Sequence, residues 1–355
     1  MKIIIVVGAR PNFIKAAPII RELNLYDDID YLFVHTGQHY DDNMSEAFFI
    51  DLDLPAPDIN MCVKSGSHAT QTSEIMVKFE KICLSYYPDI VIIIGDVNSS
   101  LACAIAASKI NSIKIAHIEA GPRVKSQYFT PEEKNRRVID VLSDYLFASN
   151  DTDMSNLKNE SVNGKIYLTG DIISDSLLRT ASKIEYDGIR TYALLTLHRP
   201  FNVDECEPLE SILKGIQKAS QEIQIIFPIH PRTKSRIEKF GLTEYLSGVT
   251  VIDPLGYVEF IRAMRNAKMV ITDSGGIQIE STMLNIPCIT LMNESGKNTT
   301  IDKGTNILAG SDGTKIHKYV VDILNSNTIN EFNDELCDGK VASRIVNILR
   351  DDNKE

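Results

Sequence analysis

Short apolar runs, each the length of one strand, alternate along the chain with longer segments of mixed pattern. The first set is Ile3 to Val7, Tyr31 to His35, Ile90 to Ile94, Lys114 to Ile118 and Tyr145 to Ala148. After Lys165 to Thr169 and the segment Gly170-Asp171-Ile172-Ile173-Ser174, the rhythm restarts with Tyr192 to Leu197, Ile223 to Ile229, Thr250 to Ile252, Met269 to Thr272 and Cys288 to Leu291. Apolar runs separated by helix-length segments are the βαβ order of a parallel sheet. The pattern predicts two α/β domains joined near residue 170. In such pairs ligands bind at the carboxyl ends of the strands, which makes the cleft between the domains the default site. Val341 to Leu349 has helical spacing of apolar residues and runs into the charged tail Asp351-Asp352-Asn353-Lys354-Glu355, so a closing helix with a frayed end is expected.

Length supports the division, since 355 residues exceed one ordinary core. No apolar run approaches the roughly 20 residues that span a bilayer, and Met1-Lys2-Ile3-Ile4-Ile5-Val6-Val7-Gly8 reads as a buried first strand and not as a signal segment. A cytoplasmic protein without a membrane partner is expected. The six cysteines, Cys62, Cys83, Cys103, Cys206, Cys288 and Cys337, are scattered without a Cys-x-x-Cys pair, which suggests neither a zinc site nor a disulfide framework. A formal net charge of −11 argues against a nucleic acid or an anionic membrane as partner while leaving room for a cationic pocket around one small anion.

The candidate chemistry sits where strands end. Ile271-Thr272-Asp273-Ser274-Gly275-Gly276-Ile277-Gln278-Ile279-Glu280 runs from a strand through Ser-Gly-Gly into a helical pattern. Without side chains at Gly275 and Gly276 the backbone can approach a diphosphate, and the first-turn N–H groups meet it with the positive end of the helix dipole. Glu280, one turn further in, is in reach of the sugar hydroxyls of a nucleotide held there. A plain strand-to-helix turn is the competing reading. The first strand leads into Gly8-Ala9-Arg10-Pro11, where Pro11 suits a first helical turn and leaves Arg10 at the mouth with Lys15 a turn later. Asp96 and Glu119 follow the next two strands, Asp96 with helix capping as its alternative role. Glu132 and Glu133 follow Pro131, and for Glu133 an ordinary place in a helix N-terminus is expected. Leu197-His198-Arg199-Pro200 and Ile229-His230-Pro231-Arg232 each end a strand with histidine and a nearby arginine. His117-x-Glu119 lacks the cysteines of a zinc site, and neither Gly-x-Gly-x-x-Gly nor a Walker A loop occurs.

Together these residues resemble the non-hydrolysing branch of the UDP-N-acetylglucosamine 2-epimerase family over nearly the whole chain. The resemblance is carried in order by Gly8-Ala9-Arg10-Pro11-Asn12-Phe13-Ile14-Lys15, Thr36-Gly37-Gln38-His39-Tyr40, Gly95-Asp96-Val97-Asn98-Ser99, His117-Ile118-Glu119-Ala120-Gly121, Pro131-Glu132-Glu133-Lys134-Asn135-Arg136, Leu197-His198-Arg199-Pro200, Pro228-Ile229-His230-Pro231-Arg232 and Asp273-Ser274-Gly275-Gly276-Ile277-Gln278. It implies two Rossmann-like domains with a cleft between them, the glycosyltransferase-B fold. Residues 1–170, completed by a helix in 341–355, would carry the acid–base side, and residues 171–340 would bind UDP. The implied activity is interconversion of UDP-GlcNAc and UDP-ManNAc by anti elimination of UDP to 2-acetamidoglucal and re-addition. No cofactor or metal is implied. Asp96, Glu119, Glu132 and His198 would be catalytic. Arg10, Lys15, Ser274, Gly275, Gly276 and Glu280 would bind the substrate, His198 also holding the diphosphate. Gln38, Arg199 and His230 would belong to a second UDP-sugar site, and a homodimer is suggested.

Two loops depart from the family pattern. Ser295-Gly296-Lys297-Asn298-Thr299 stands where the family has Thr-Glu-Arg-Pro-Glu, and Lys297 cannot supply the bidentate fork of an arginine. Val124-Lys125-Ser126-Gln127-Tyr128-Phe129-Thr130 replaces a loop that usually carries Phe-Asp-Arg. Both leave the sugar open. A modified UDP-2-acetamido sugar, such as a UDP-diacetamido-hexuronate whose carboxylate meets Lys297 or Lys125, a hydrolysing 2-epimerase and a catalytically silent UDP-sugar-binding protein stay as alternatives.

Overall fold

A computed structural model describes residues 1–38, 46–64, 66–124, 130–186, 188, 190–294, 298–302, 304–326, 332 and 335–352. Lys125, Lys297, His39 and Tyr40, and with them most of the two departing loops, lie outside the described residues. The chain divides into two units, Met1–Ser176 with Glu335–Glu355, and Leu177–Asp334.

The first unit is built on seven parallel strands: β1 (Lys2–Val7), β2 (Asp30–His35), β3 (Ile59–Asn60), β4 (Ile90–Ile94), β5 (Lys114–Ala120), β6 (Tyr145–Ala148) and β7 (Lys165–Leu168). Their order across the sheet is β3-β2-β1-β4-β5-β6-β7. The second unit has β8 (Tyr192–Thr196), β9 (Gln224–Pro228), β10 (Val249–Ile252), β11 (Met269–Thr272), β12 (Cys288–Thr290) and β13 (Asn306–Leu308), in the order β10-β9-β8-β11-β12-β13. Both are Rossmann-like sheets with helices interleaved along the chain. Both also reverse direction at one place, between β1 and β4 in the first unit and between β8 and β11 in the second. At such a switch point the helices diverge to opposite faces and leave a crevice at the strand ends.

Central strands are apolar throughout because both faces of a parallel sheet are covered. All five residues of β4 are buried, whereas the edge strand β10 is partly exposed along its length. Each unit has its own apolar core, one around Ile4, Val6, Phe79 and Ile93, the other around Leu195, Ile216, Phe227 and Ile271. The helix Val341–Asp352 closes the first unit: its buried Val341, Ala342, Ile345, Val346 and Leu349 repeat at three- to four-residue spacing on one face. It packs on the helix Arg10–Leu23. The buried Asp175 carboxylate anchors its start, accepting from the N–H of Val341 at 3.0 Å and of Ala342 at 2.8 Å.

The edge strands β3 and β13 were not among the expected runs, being only two and three residues long. At the carboxyl end of β2, His35 is buried edge-on to Phe13, with ring centroids 5.0 Å apart, and its Nε2 has no hydrogen-bond partner among the described residues.

Burial lowers the His35 imidazole from 6.5 to about 4. An unfolded chain takes up a proton here below about pH 6.5 while the folded one resists it until about pH 4. The stability contributed by the neutral ring is therefore complete above pH 6.5 and is lost as the pH falls toward 4. Urea unfolding should weaken over that window by about 3 kcal/mol from this residue. His35→Phe should flatten that part of the profile, and an unchanged slope in the variant refutes the assignment.

Candidate functional site

At the switch point of the first unit, β1 and β4 end side by side with backbone groups that have no ladder partner. Asn12, buried in the first turn of the helix Arg10–Leu23, closes them. Its Oδ1 accepts from the N–H of Ala9 at 2.9 Å and of Gly8 at 3.4 Å, and its Nδ2 donates to the Ile94 carbonyl at 3.1 Å. Gly8 is required by space, because a Cβ there would lie 2.2 Å from Ser99 Oγ. Arg10 opens the helix, half-buried, and Lys15 one turn on pairs with Glu119.

Glu119 sits at the irregular end of β5, where the pairing with β6 shifts register, and has φ +68°. A side-chain-bearing residue in the left-handed region is held against a preference of about 1 kcal/mol or more, and such strain clusters at functional sites. Its carboxylate Oε2 lies 3.5 Å from where a Cβ on Gly95 would be, so the side chain reaches to the end of β4.

Asp96 follows β4 and does not cap the next helix, which starts at Asn98 with Val97 as its cap residue. The alternative role considered for it is thereby overturned. Its carboxylate is bonded by Arg136 instead, and its carbonyl accepts from Asn135 Nδ2 at 2.9 Å. Arg136 and Asn135 come from the helix Pro131–Leu142, capped by Thr130, whose hydroxyl accepts from the Glu133 N–H at 3.2 Å. The neighbouring acids of its first turn differ. Glu132 is exposed, while Glu133, expected to be an ordinary helix-end acid, is 1% exposed and bonded by Arg136 and Arg137. His117 is structural: its Nδ1 lies 2.7 Å from Asp140 Oδ1 and its Nε2 3.0 Å from the Gly95 carbonyl oxygen. Gln38 is buried, with Oε1 accepting from the Ser99 N–H at 2.9 Å and hydroxyl at 2.6 Å. Among the described residues no group of three or more His, Cys, Asp or Glu is placed to hold a metal ion.

In the second unit the closing group is Asp273, fully buried at the end of β11. It accepts from the N–H of His198 at 3.0 Å, the N–H of Arg199 at 2.8 Å and Asn202 Nδ2 at 3.3 Å, and its Oδ1 lies 3.2 Å from His198 Nδ1. Burial alone would raise its carboxyl; the His198 ring and the two backbone donors outweigh burial and hold it below the ordinary carboxylate range. The His198 ring stands 5.8 Å from that of His230, whose Nδ1 accepts the Arg232 N–H at 3.1 Å. Arg199 and His230 are exposed, and Arg232 is engaged by Asp204.

The helix Gly275–Met283 starts directly after Asp273. Ser274 occupies its cap position but its side chain makes no cap bond, and the space a Gly275 Cβ would enter is open to 4 Å. The first-turn N–H groups are thus left for an anion. Glu280 is buried on the same helix and faces Tyr257. Burial first, and then the Glu280 carboxylate, push the Tyr257 hydroxyl well above its ordinary range.

Sequence reasoning quoted Asn12 and Asp273 within motifs without giving them a role, and passed over Asp140 and Tyr257. Their position at strand ends was the available signal for the first two.

A family model described as UDP-N-acetylglucosamine 2-epimerase matches residues 21–350. A Methanococcus maripaludis protein named UDP-N-acetylglucosamine 2-epimerase homolog is 41% identical, over 99% of this chain and 99% of its own. A Pseudomonas aeruginosa protein named UDP-2,3-diacetamido-2,3-dideoxy-D-glucuronate 2-epimerase is 37% identical, over 98% and 99%. The crystal structure of the Methanocaldococcus jannaschii UDP-GlcNAc 2-epimerase in complex with UDP-GlcNAc and UDP superposes with a TM-score of 0.88 at 40% identity, covering 99% of each chain.

If Asn12 and Asp273 close the two switch points, Asn12→Ala and Asp273→Ala should each destabilise the fold by roughly 2–4 kcal/mol, since each strands two backbone N–H groups. Urea unfolding measures this, and losses below about 0.5 kcal/mol, the size of an ordinary surface change, count against the role.

Proposed function

The chain belongs to the UDP-N-acetylglucosamine 2-epimerase family, and we propose that it interconverts UDP-GlcNAc and UDP-ManNAc by anti elimination of UDP to 2-acetamidoglucal followed by re-addition. The observation that carries the reading is the pair of carboxylates at adjacent strand ends, Asp96 after β4 and Glu119 on β5, each with its own cation, Arg136 and Lys15. The hydrogen at C2 is not next to a carbonyl, so its removal needs a positioned base and a stabilised leaving group at once. Inversion needs the proton returned to the opposite face of C2. Two carboxyl groups, one for each face, meet that requirement. Lys15 and Arg136 fix the two carboxyl groups in place, so that the one that takes the proton and the one that returns it can lie on opposite faces.

The departing nucleotide carries the negative charge that develops. The N-terminus formed by Ser274, Gly275 and Gly276 receives its diphosphate, with His198 as a further donor and Glu280 on the ribose hydroxyls. Glu132, exposed in the first turn of its helix, is the third acid of the same reading. Arg199 and His230 offer exposed side chains for a second UDP-sugar site. A homodimer, for which exposed Val77 and Leu84 on one helix and Val138 and Val141 on another supply apolar surface, belongs to this proposal, as do a cytoplasmic location and a role in polysaccharide precursor supply. No helix among the described residues is long and apolar enough to cross a membrane.

The 37% identity to a UDP-diacetamido-glucuronate 2-epimerase favours a second reading in which the same route acts on that sugar. Proton NMR of the purified protein with UDP-GlcNAc in D2O decides between them. Deuterium at C2 and UDP-ManNAc at a steady ratio are expected. Asp96→Asn and Glu119→Gln should each slow turnover by about 100-fold or more, and either variant at wild-type rate removes that residue from the mechanism. Free ManNAc would mean hydrolysis, and turnover of only the diacetamido sugar would select the second reading.

A further inference from the structure

Asp96 is one station of a closed circuit of charges in the first unit. Arg136, which bonds Asp96, donates from Nη1 to Glu133 Oε2 at 2.7 Å. Glu133 Oε1 accepts from Arg137 Nε at 2.9 Å, and Arg137 Nη1 donates to Glu160 Oε1 at 3.0 Å. Glu160 takes Arg123 through Nε at 2.8 Å and Nη2 at 2.6 Å. Arg123 Nη2 also donates to Asp140 at 2.7 Å, and Asp140 Oδ1 lies beside His117 Nδ1. His117 Nε2 returns the circuit to the Gly95 carbonyl, one residue before Asp96. Burial alone would raise Asp140, but His117 and Arg123 hold its carboxyl below the ordinary range.

The circuit has a consequence for proton transfer. When Asp96 accepts a proton it loses the charge that Arg136 answers. A partly buried guanidinium left without a counter-charge is costly, and truncating one partner of such a pair is more damaging than the pair is stabilising. Glu133, 1% exposed and bonded to the other side of the same guanidinium, keeps Arg136 paired in both charge states of Asp96. Arg137 in turn keeps Glu133 from being a lone buried carboxylate once Arg136 leans toward Asp96.

We propose that Glu133 is a positioning residue for the reaction: it retains Arg136 as the fixed partner of Asp96 while Asp96 gains and loses its proton. The proposal rests on the assignment of Asp96 to proton transfer. Glu133→Gln keeps the shape and removes the charge, and it should lower kcat and the rate of C2 deuterium exchange together by about 10- to 100-fold, the scale of a general acid–base contribution. KM for UDP-GlcNAc and the Kd for UDP should stay within about twofold, because nucleotide binding is uniform to both states. Glu133→Asp, which restores the charge, should recover part of the loss. A folded Glu133→Gln protein with wild-type kcat, or one whose loss is all in KM, overturns the proposal. Should Glu133→Gln fail to fold, Glu160→Gln loosens the circuit from its exposed side, with a fall in kcat of about 2- to 5-fold expected and an unchanged kcat overturning the proposal. A wild-type protein that exchanges no proton at C2 of UDP-GlcNAc removes the proposed function and this inference with it, whereas active wild type beside fully active variants removes this inference alone.

Discussion

A parallel sheet with crossovers on both faces has one place where neighbouring strands send their helices apart, and the backbone groups exposed there must find partners that no ladder supplies. Everything proposed for this chain is arranged around two such places. The first unit closes its own with Asn12, which both accepts and donates, matching two N–H groups and one carbonyl. The second uses Asp273, which only accepts, facing two N–H groups, an amide and an imidazole. The choice of residue follows from the sign of the orphaned groups. It also sets the electrostatics: a neutral closure adds no charge beside Asp96 and Glu119 in the first unit, and a buried carboxylate in the second holds His198 beside the positive end of a helix.

Most of the architecture was legible because parallel strands buried on both faces leave continuous apolar runs. Ile90 to Ile94, Tyr145 to Ala148 and Met269 to Thr272 coincide with the observed strands to the residue. Ile59–Asn60 and Asn306–Leu308 were invisible since an edge strand of two or three residues needs no apolar run. Placement was legible where position along a strand decides it, as for Arg10, Asp96, Glu119, His198 and Ser274, all of which lie at strand ends or just after them. It was not legible where helical phase decides it. Glu132 and Glu133 differ by one step of rotation, and only the surroundings of the helix Pro131–Leu142 determine that Glu133 turns inward to Arg136 and Arg137. The left-handed backbone of Glu119 leaves no mark in composition at all, because glutamate has no preference for it.

The two units also divide the electrostatic work differently. In the first, Asp96, Glu119, Glu133, Asp140 and Glu160 are each bonded by a side-chain cation, so these charges are answered locally. In the second, the positive character comes from a helix end, with His198 held beside it by the Asp273 carboxylate. An overall charge of −11 is compatible with anion binding for this reason: the field that matters is made by dipoles and paired cations near the strand ends.

The closing helix gives the chain an order of assembly. Val341–Asp352 covers the helix Arg10–Leu23, and its first N–H groups are held by Asp175, yet some 160 residues of the second unit are translated in between. A ribosome therefore exposes the first sheet with one flank bare while the second unit emerges and folds as a block of its own. During vectorial synthesis the nascent first unit carries an uncovered apolar flank, the kind of surface that chaperones bind, until the helix Val341–Asp352 leaves the exit tunnel.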